Sequence, residues 1–246
     1  MEEQDLNFLL AKLKPIKLIS AGIVREEQFL NALFKKYIKD RGFICGGFAR
    51  YCLSPLNDPP PATDIDVYSK SETAMLSIKN DLIRANHKIL SETPNSITFN
   101  IGSKRGLNVS ALQLIKPVFC DNTVEGVLER FDFSIVRAAI FNEWDSLNAV
   151  IDEDFIKDEE QRILRVKYVS CPVNMVQRIA KYVAKGYRIP MRESLKLFEE
   201  WDNKDQDYRD EVLETSNKEV ISNIEVEGYS RTSIDGYSRL KLRGWR

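Results

Sequence analysis

The chain has 246 residues, 43% hydrophobic and 30% charged, with 36 Lys and Arg against 37 Asp and Glu. That length suits one large domain or two small ones around a real core, and a net charge near zero speaks against a broad basic surface, though not against a local basic patch. No apolar run approaches the roughly 18 residues of a membrane span, the acidic start MEEQDLNFLL is unlike a secretory signal, and one histidine with four scattered cysteines anchors no zinc site. A reduced, cytoplasmic chain is expected. Any metal in it is expected to be hard and held by carboxylates.

Residues 5–13 have helical spacing and stop at Pro15. Residues 25–39 form a stronger amphipathic helix, with Phe29, Leu33 and Tyr37 on one stripe and Gly42 at its end. FICGG reads as a short buried strand running into glycines, and GFARYCLS as a short helix ended by Pro55. The proline-rich loop to Thr63 is stiff and poor in amide donors. DIDVY alternates as a strand. Residues 71–85 form a helix capped by Ser71. HKILSET, SITFNI and NVSALQLI are strands, and 123–130 is a helix. FDFSIVRAAIF is a long apolar strand or a strand–helix junction, and SLNAVID is a further strand.

After about residue 152 the pattern turns helical, over 153–168, 173–185, 191–202 and 205–220. The reading is an α+β domain over 1–152 with a mixed sheet and flanking helices, a helical part over 153–228, and a basic, aromatic tail over 229–246 that carries GYSR twice.

The stretch CGGFARYCLSPLNDPPPATDIDVY holds the chemistry. Alternate strand residues share a face, so Asp64 and Asp66 point one way and Ile65 and Val67 the other. Their Cα atoms are then roughly 6–7 Å apart, a spacing suited to joint ligation of magnesium, which takes oxygen donors and is held by one or two carboxylates plus substrate phosphates. Gly46 and Gly47 follow a strand and open a helix. Glycine lets backbone approach a ligand, and a helix N-terminus favours phosphate. Arg50, in the first turn, is in reach of the same anion. Each piece alone also reads as an ordinary polar face, turn or surface charge; the order strand, Gly-Gly, helix, loop, Asp-x-Asp strand is the specific signal.

This block resembles the signature of the polymerase-beta-like nucleotidyltransferase superfamily, and its GG-x-x-R spacing resembles the head domain of class II CCA-adding enzymes and bacterial poly(A) polymerases. Tyr51 stands where that pattern often has an acid. ERFDFSIVRAAI is similar to the family's arginine-aspartate-phenylalanine-threonine motif, with Phe131 in the arginine's place. The resemblance implies that Asp132 contacts the incoming sugar or completes the carboxylate set, since NVSALQLI, where many members carry a third acid, has none. DEEQRILRV resembles the acid-acid-x-x-arginine motif, which implies nucleotide contacts for Asp158, Glu159, Arg162 and Arg165.

The resemblance implies magnesium, or manganese in its place, a nucleoside triphosphate substrate, and an RNA acceptor such as a tRNA-like 3′ end. The chain after this motif is short for the helical body with which CCA-adding enzymes measure tRNA. Two alternatives stay open: a catalytically idle fold used for binding or assembly, and a phage- or toxin-type enzyme that modifies a host RNA or protein. Arg178, Lys181 and Lys185 lie along one helix with Tyr182 and Tyr187 nearby, either as an RNA contact or as a solvated basic face. The tail is read as a clamp for nucleic acid, a docked hairpin or a frayed end. His87 is expected to be structural, and Trp144 and Trp201 to pack.

Overall fold

A computed structural model describes residues 16–102, 109–117, 123–144, 146–169, 172–210 and 213–214. Within them a mixed eight-stranded sheet runs in the order β1-β8-β7-β2-β3-β6-β5-β4. Its strands are β1 (Leu18–Ser20), β2 (Gly42–Cys45), β3 (Asp64–Ser69), β4 (Lys88–Glu92), β5 (Ser96–Asn100), β6 (Ala111–Ile115), β7 (Ala138–Glu143) and β8 (Ser146–Asp152). Only β3 and β6 pair in parallel. The α+β class with a helical end is as the periodicity predicts.

Strand β2 is buried along its whole length, as its apolar run implies, and lies between β3 and β7. Strand β3 alternates open and buried positions, which sends Ile65 and Val67 into the core and leaves Asp64 and Asp66 on the opposite face. Helix α1 (Glu27–Leu33) continues as a wider π turn over Phe34–Ile38, and its stripe buries Leu30, Leu33, Phe34 and Tyr37. The chain turns at Lys39, with φ 54°. Gly42 therefore does not end the helix as expected. It opens β2, where a Cβ would lie 2.6 Å from the Tyr68 carbonyl oxygen, a spacing only glycine allows.

Helix α2 (Gly46–Leu53) packs its inner face into the core. Helix α3 (Glu72–Arg84) begins where predicted, with the Ser71 hydroxyl accepting from the Ala74 N–H at 3.0 Å. Helix α4 (Val124–Glu129) is capped in the same way by Thr123. The apolar run after it is the junction kind: a 3-10 turn at Ser134–Val136 leads into β7.

The helical expectation for 153–168 holds only for α5 (Phe155–Glu160). Arg162 then takes φ 51°, and the following chain makes isolated bridges to Phe133 and Arg188. Helices α6 (Pro172–Val183) and α7 (Met191–Asp202) follow. Phe133, Leu164, Val166, Met175 and Tyr182 share one apolar cluster, so this part packs against the sheet's 3-10 turn. His87 is structural as expected, bonded to the Tyr37 hydroxyl at 2.9 Å and facing the Asn100 carbonyl at 3.2 Å. Trp144 does not pack. It stands 92% exposed on the turn between β7 and β8, at φ 53°, because the hairpin turn and not the side chain decides its direction. The 5–13 helix, the 229–246 tail and half of 205–220 lie outside the described residues, and 206–210 is helical as expected.

Candidate functional site

A cavity of about 440 Å3 opens on the polar face of β3, and Asp64, Asp66 and Asp132 all line it. Asp66 sits between Cys45 of β2 and Gln113 of β6 in the sheet register. Gly46 and Gly47, at the start of α2, form the cavity's edge. Gly46 has φ 75°, and a Cβ there would sit 3.4 Å from Asp66 Oδ2 and 3.5 Å from the Phe131 ring. Those are ordinary contacts, so it is the positive φ that calls for glycine at this position.

Burial first, and then the neighbouring Asp64 charge, push the Asp66 carboxyl up to about 7, with Lys181 and Arg178 acting in the opposite direction. The Asp64 carboxylate accepts a hydrogen bond from the Thr63 hydroxyl at 3.1 Å. Asp132 has a different setting. It is 8% exposed, accepts from the Phe133 N–H at 3.0 Å, and is paired with both nitrogens that Arg178 presents to it. Its charge is therefore answered by the protein, whereas the Asp64–Asp66 pair has like charge on like. Two carboxylates on one strand face, with other positions left to water and phosphate oxygens, form a donor set that fits magnesium. Among the described residues no group of three or more ligating side chains gathers.

The other residues expected at the nucleotide are turned away from this cavity. Arg50 is fully buried, donating from Nη1 to Glu159 Oε1 and to the Tyr187 hydroxyl, both at 2.9 Å, and from Nη2 to the Pro60 carbonyl. Its expected reach to a phosphate is replaced by this pairing, because a buried guanidinium must find a counter-charge. Glu159 also accepts from the Ser54 hydroxyl at 2.9 Å and from the Tyr187 hydroxyl at 2.7 Å. Asp158, equally sealed, accepts from Ser134 at 2.7 Å and from two nitrogens of Arg165 at 2.8 and 2.9 Å. Arg162 donates to the Lys185 carbonyl at 3.3 Å. Glu159 ties α5 to α2 and Asp158 ties it to the 3-10 turn, and none of Arg50, Asp158, Glu159, Arg162 and Arg165 lines the cavity.

Conversely, the cavity's far wall is the basic face of α6 and the turn after it. Arg178, Lys181 and Lys185 line the same space as the aspartates. Their i, i+3, i+7 spacing was visible in the sequence; their target was not. Gln113, Tyr68 and Asn174 also line it and carried no sequence signal of their own.

The family profile described as Gabija anti-defense 2 family protein matches residues 24–162, more than half of the chain and all of the segment that carries the aspartates. The chain belongs to that family. No curated protein matches it in sequence. Among solved structures it is similar to a CCA-adding enzyme in complex with ATP, at 21% identity and a TM-score of 0.52, over 70% of this chain and 42% of that one. A CCA-adding enzyme in complex with CTP gives 20% identity and a TM-score of 0.51, over 72% and 44%. The Thermotoga maritima CCA-adding enzyme complexed with tRNA gives 21% and 0.50, over 72% and 43%. This Gabija anti-defense 2 family chain thus has a nucleotidyltransferase-like fold and spans less than half the length of these structures.

Proposed function

We propose that the chain is a magnesium-dependent nucleotidyltransferase that moves a nucleoside monophosphate from a triphosphate to an acceptor hydroxyl. The observation that carries this is the Asp64–Asp66 pair, open to one cavity beside Gly46 in a nucleotidyltransferase-like fold. Asp64 and Asp66 would hold the cation; magnesium, or manganese, bound there neutralises charge in an in-line displacement at phosphorus. The Gly46–Gly47 backbone at the start of α2 orients the phosphates. The acceptor oxygen forms a bond to the α-phosphorus, the bond to the β-phosphate oxygen breaks, and pyrophosphate leaves. The hydroxyl proton passes to a carboxylate of the site. Asp132, fixed by Arg178, positions the sugar. The protein's part is placement and charge stabilisation.

The acceptor we favour is an RNA end, since the similar structures include a CCA-adding enzyme complexed with tRNA. The family's description as anti-defense makes a host RNA or protein hydroxyl the variant of this reading to test beside it. A second reading, nucleotide binding without turnover, draws on Gln113, an amide directly beside Asp66 where an acid would supply a third carboxylate.

The experiment is incubation of the full chain and each labelled triphosphate, with magnesium or manganese, against total RNA and separately against cell extract. Transfer of label that is lost in Asp64→Ala and Asp66→Ala, with the fold retained, is expected. Equal transfer by the wild type and both variants sinks the proposal. Nucleotide binding with no transfer to any acceptor decides for the second reading.

A further inference from the structure

The cavity holds a charge pattern that the two aspartates do not account for. Asp132 and Arg178 answer each other. Besides Arg130 at the end of α4, that leaves Asp64 and Asp66 on the sheet side and Lys181 and Lys185 on the helical side of the same 440 Å3 space. Among the described residues no ion pair within 4 Å joins either lysine to either aspartate, and Lys181 has no ion-pair partner at all. Opposite charges that share a cavity and stay apart leave room for something between them that carries both signs. A polyphosphate with a divalent cation has that composition.

The lysines are arranged for the anionic half. Lys181 lies in the last turn of α6 and Lys185 in the turn that follows it, and both line the cavity. Lys185 is held in place: its ammonium donates to the Pro61 carbonyl at 3.2 Å and lies 5.7 Å from the centre of the Tyr182 ring. An ammonium has three donors, so further hydrogen-bonding capacity remains toward the cavity. Burial, then Arg50 and then Lys181 lower the affinity of Lys185 for its proton, while Asp64 alone acts to raise it. A cation so surrounded gains from an added anion. Lys181 is exposed at the cavity wall. Arg50, which sequence spacing pointed to as the phosphate contact, is committed to Glu159.

We infer that Lys181 and Lys185 form the subsite for the terminal phosphates of a polyphosphate, so that the helical part and not the α2 arginine holds the leaving group. This deepens the nucleotidyltransferase reading and rests on it, but it is tested without turnover. Inorganic tripolyphosphate and ATP are titrated calorimetrically, in magnesium buffer, into the full-length wild type and into Lys181→Ala, Lys185→Ala, Lys181→Arg and Lys35→Ala. Lys35 is an exposed lysine that does not line this cavity. The wild type is expected to bind both ligands. Each alanine variant of the pair is expected to weaken tripolyphosphate about tenfold, as for a lost charge-assisted contact. Lys181→Arg and Lys35→Ala should stay within about threefold of wild type.

Wild-type affinity in both Lys181→Ala and Lys185→Ala overturns the subsite, and so does an equal loss in Lys35→Ala, which would mean general charge attraction. ATP binding without tripolyphosphate binding overturns it while leaving the nucleotide reading standing. Binding of neither overturns both. Circular dichroism of each variant separates lost contacts from lost fold.

Discussion

Asp66→Asn is expected to make the cation-free protein more stable at pH 8. The Asp66 carboxyl is raised from its usual 3.8 to about 7, by burial first and by Asp64 second. The native state therefore binds this proton more tightly than the unfolded chain. Between about pH 4 and pH 7 the native form keeps a proton that the unfolded form has lost, so unfolding free energy falls as pH rises through that window and levels off above it. A shift of about three units corresponds to about 4 kcal/mol. Asp66 keeps part of its surface open through the cavity mouth, and water entering there brings the expected figure to about 1–3 kcal/mol. Asparagine is nearly isosteric and carries no charge, so the gain should be full at pH 8 and should vanish near pH 4. The assay is urea denaturation of wild type and variant in chelator at pH 4, 6 and 8. Magnesium at 100 times its dissociation constant should then stabilise the wild type at pH 8 by about 2.7 kcal/mol, with little effect on the variant. A variant no more stable than wild type at pH 8, or a difference independent of pH, refutes the reasoning.

Glu159→Ala should cost about 3–5 kcal/mol in the same denaturation assay, because it leaves Arg50 buried without its counter-charge; a loss under about 1 kcal/mol would mean that the pair does not tie the two parts together. Gly46→Ala should cost about 1–2 kcal/mol from its positive φ alone. The new Cβ would meet Asp66 and Phe131 only in ordinary contact, at 3.4 and 3.5 Å, so the same denaturation assay should show the backbone cost and no added loss from a clash.

The elements most legible in the sequence are those with local causes. The period-two alternation of DIDVYS put both aspartates on one face before any partner strand was known, and β3 shows that alternation in its burial. The Ser71 cap and the Pro55 stop are local in the same sense. Helical spacing misled at 153–168, where Arg162 leaves the helical region and the chain docks against Phe133 and Arg188. Position also misled for Arg50. Its place in the first turn after two glycines made it a phosphate contact on paper, yet its partner lies 109 residues away on α5.

The same distinction runs through the site. The sequence alone determined the acidic half, because strand pleat and glycine backbone freedom act over a few residues and need no third element. Only the tertiary structure decided the basic half. A helical face of Arg178, Lys181 and Lys185 carries no mark of whether it meets solvent, RNA or a cavity, and what it meets depends on where α6 packs through Tyr182 and Met175 against Phe133 and its neighbours. Burial of a charged side chain is likewise decided by a distant counter-charge, which is why Arg50 and Glu159 moved from the expected ligand contacts into the interior.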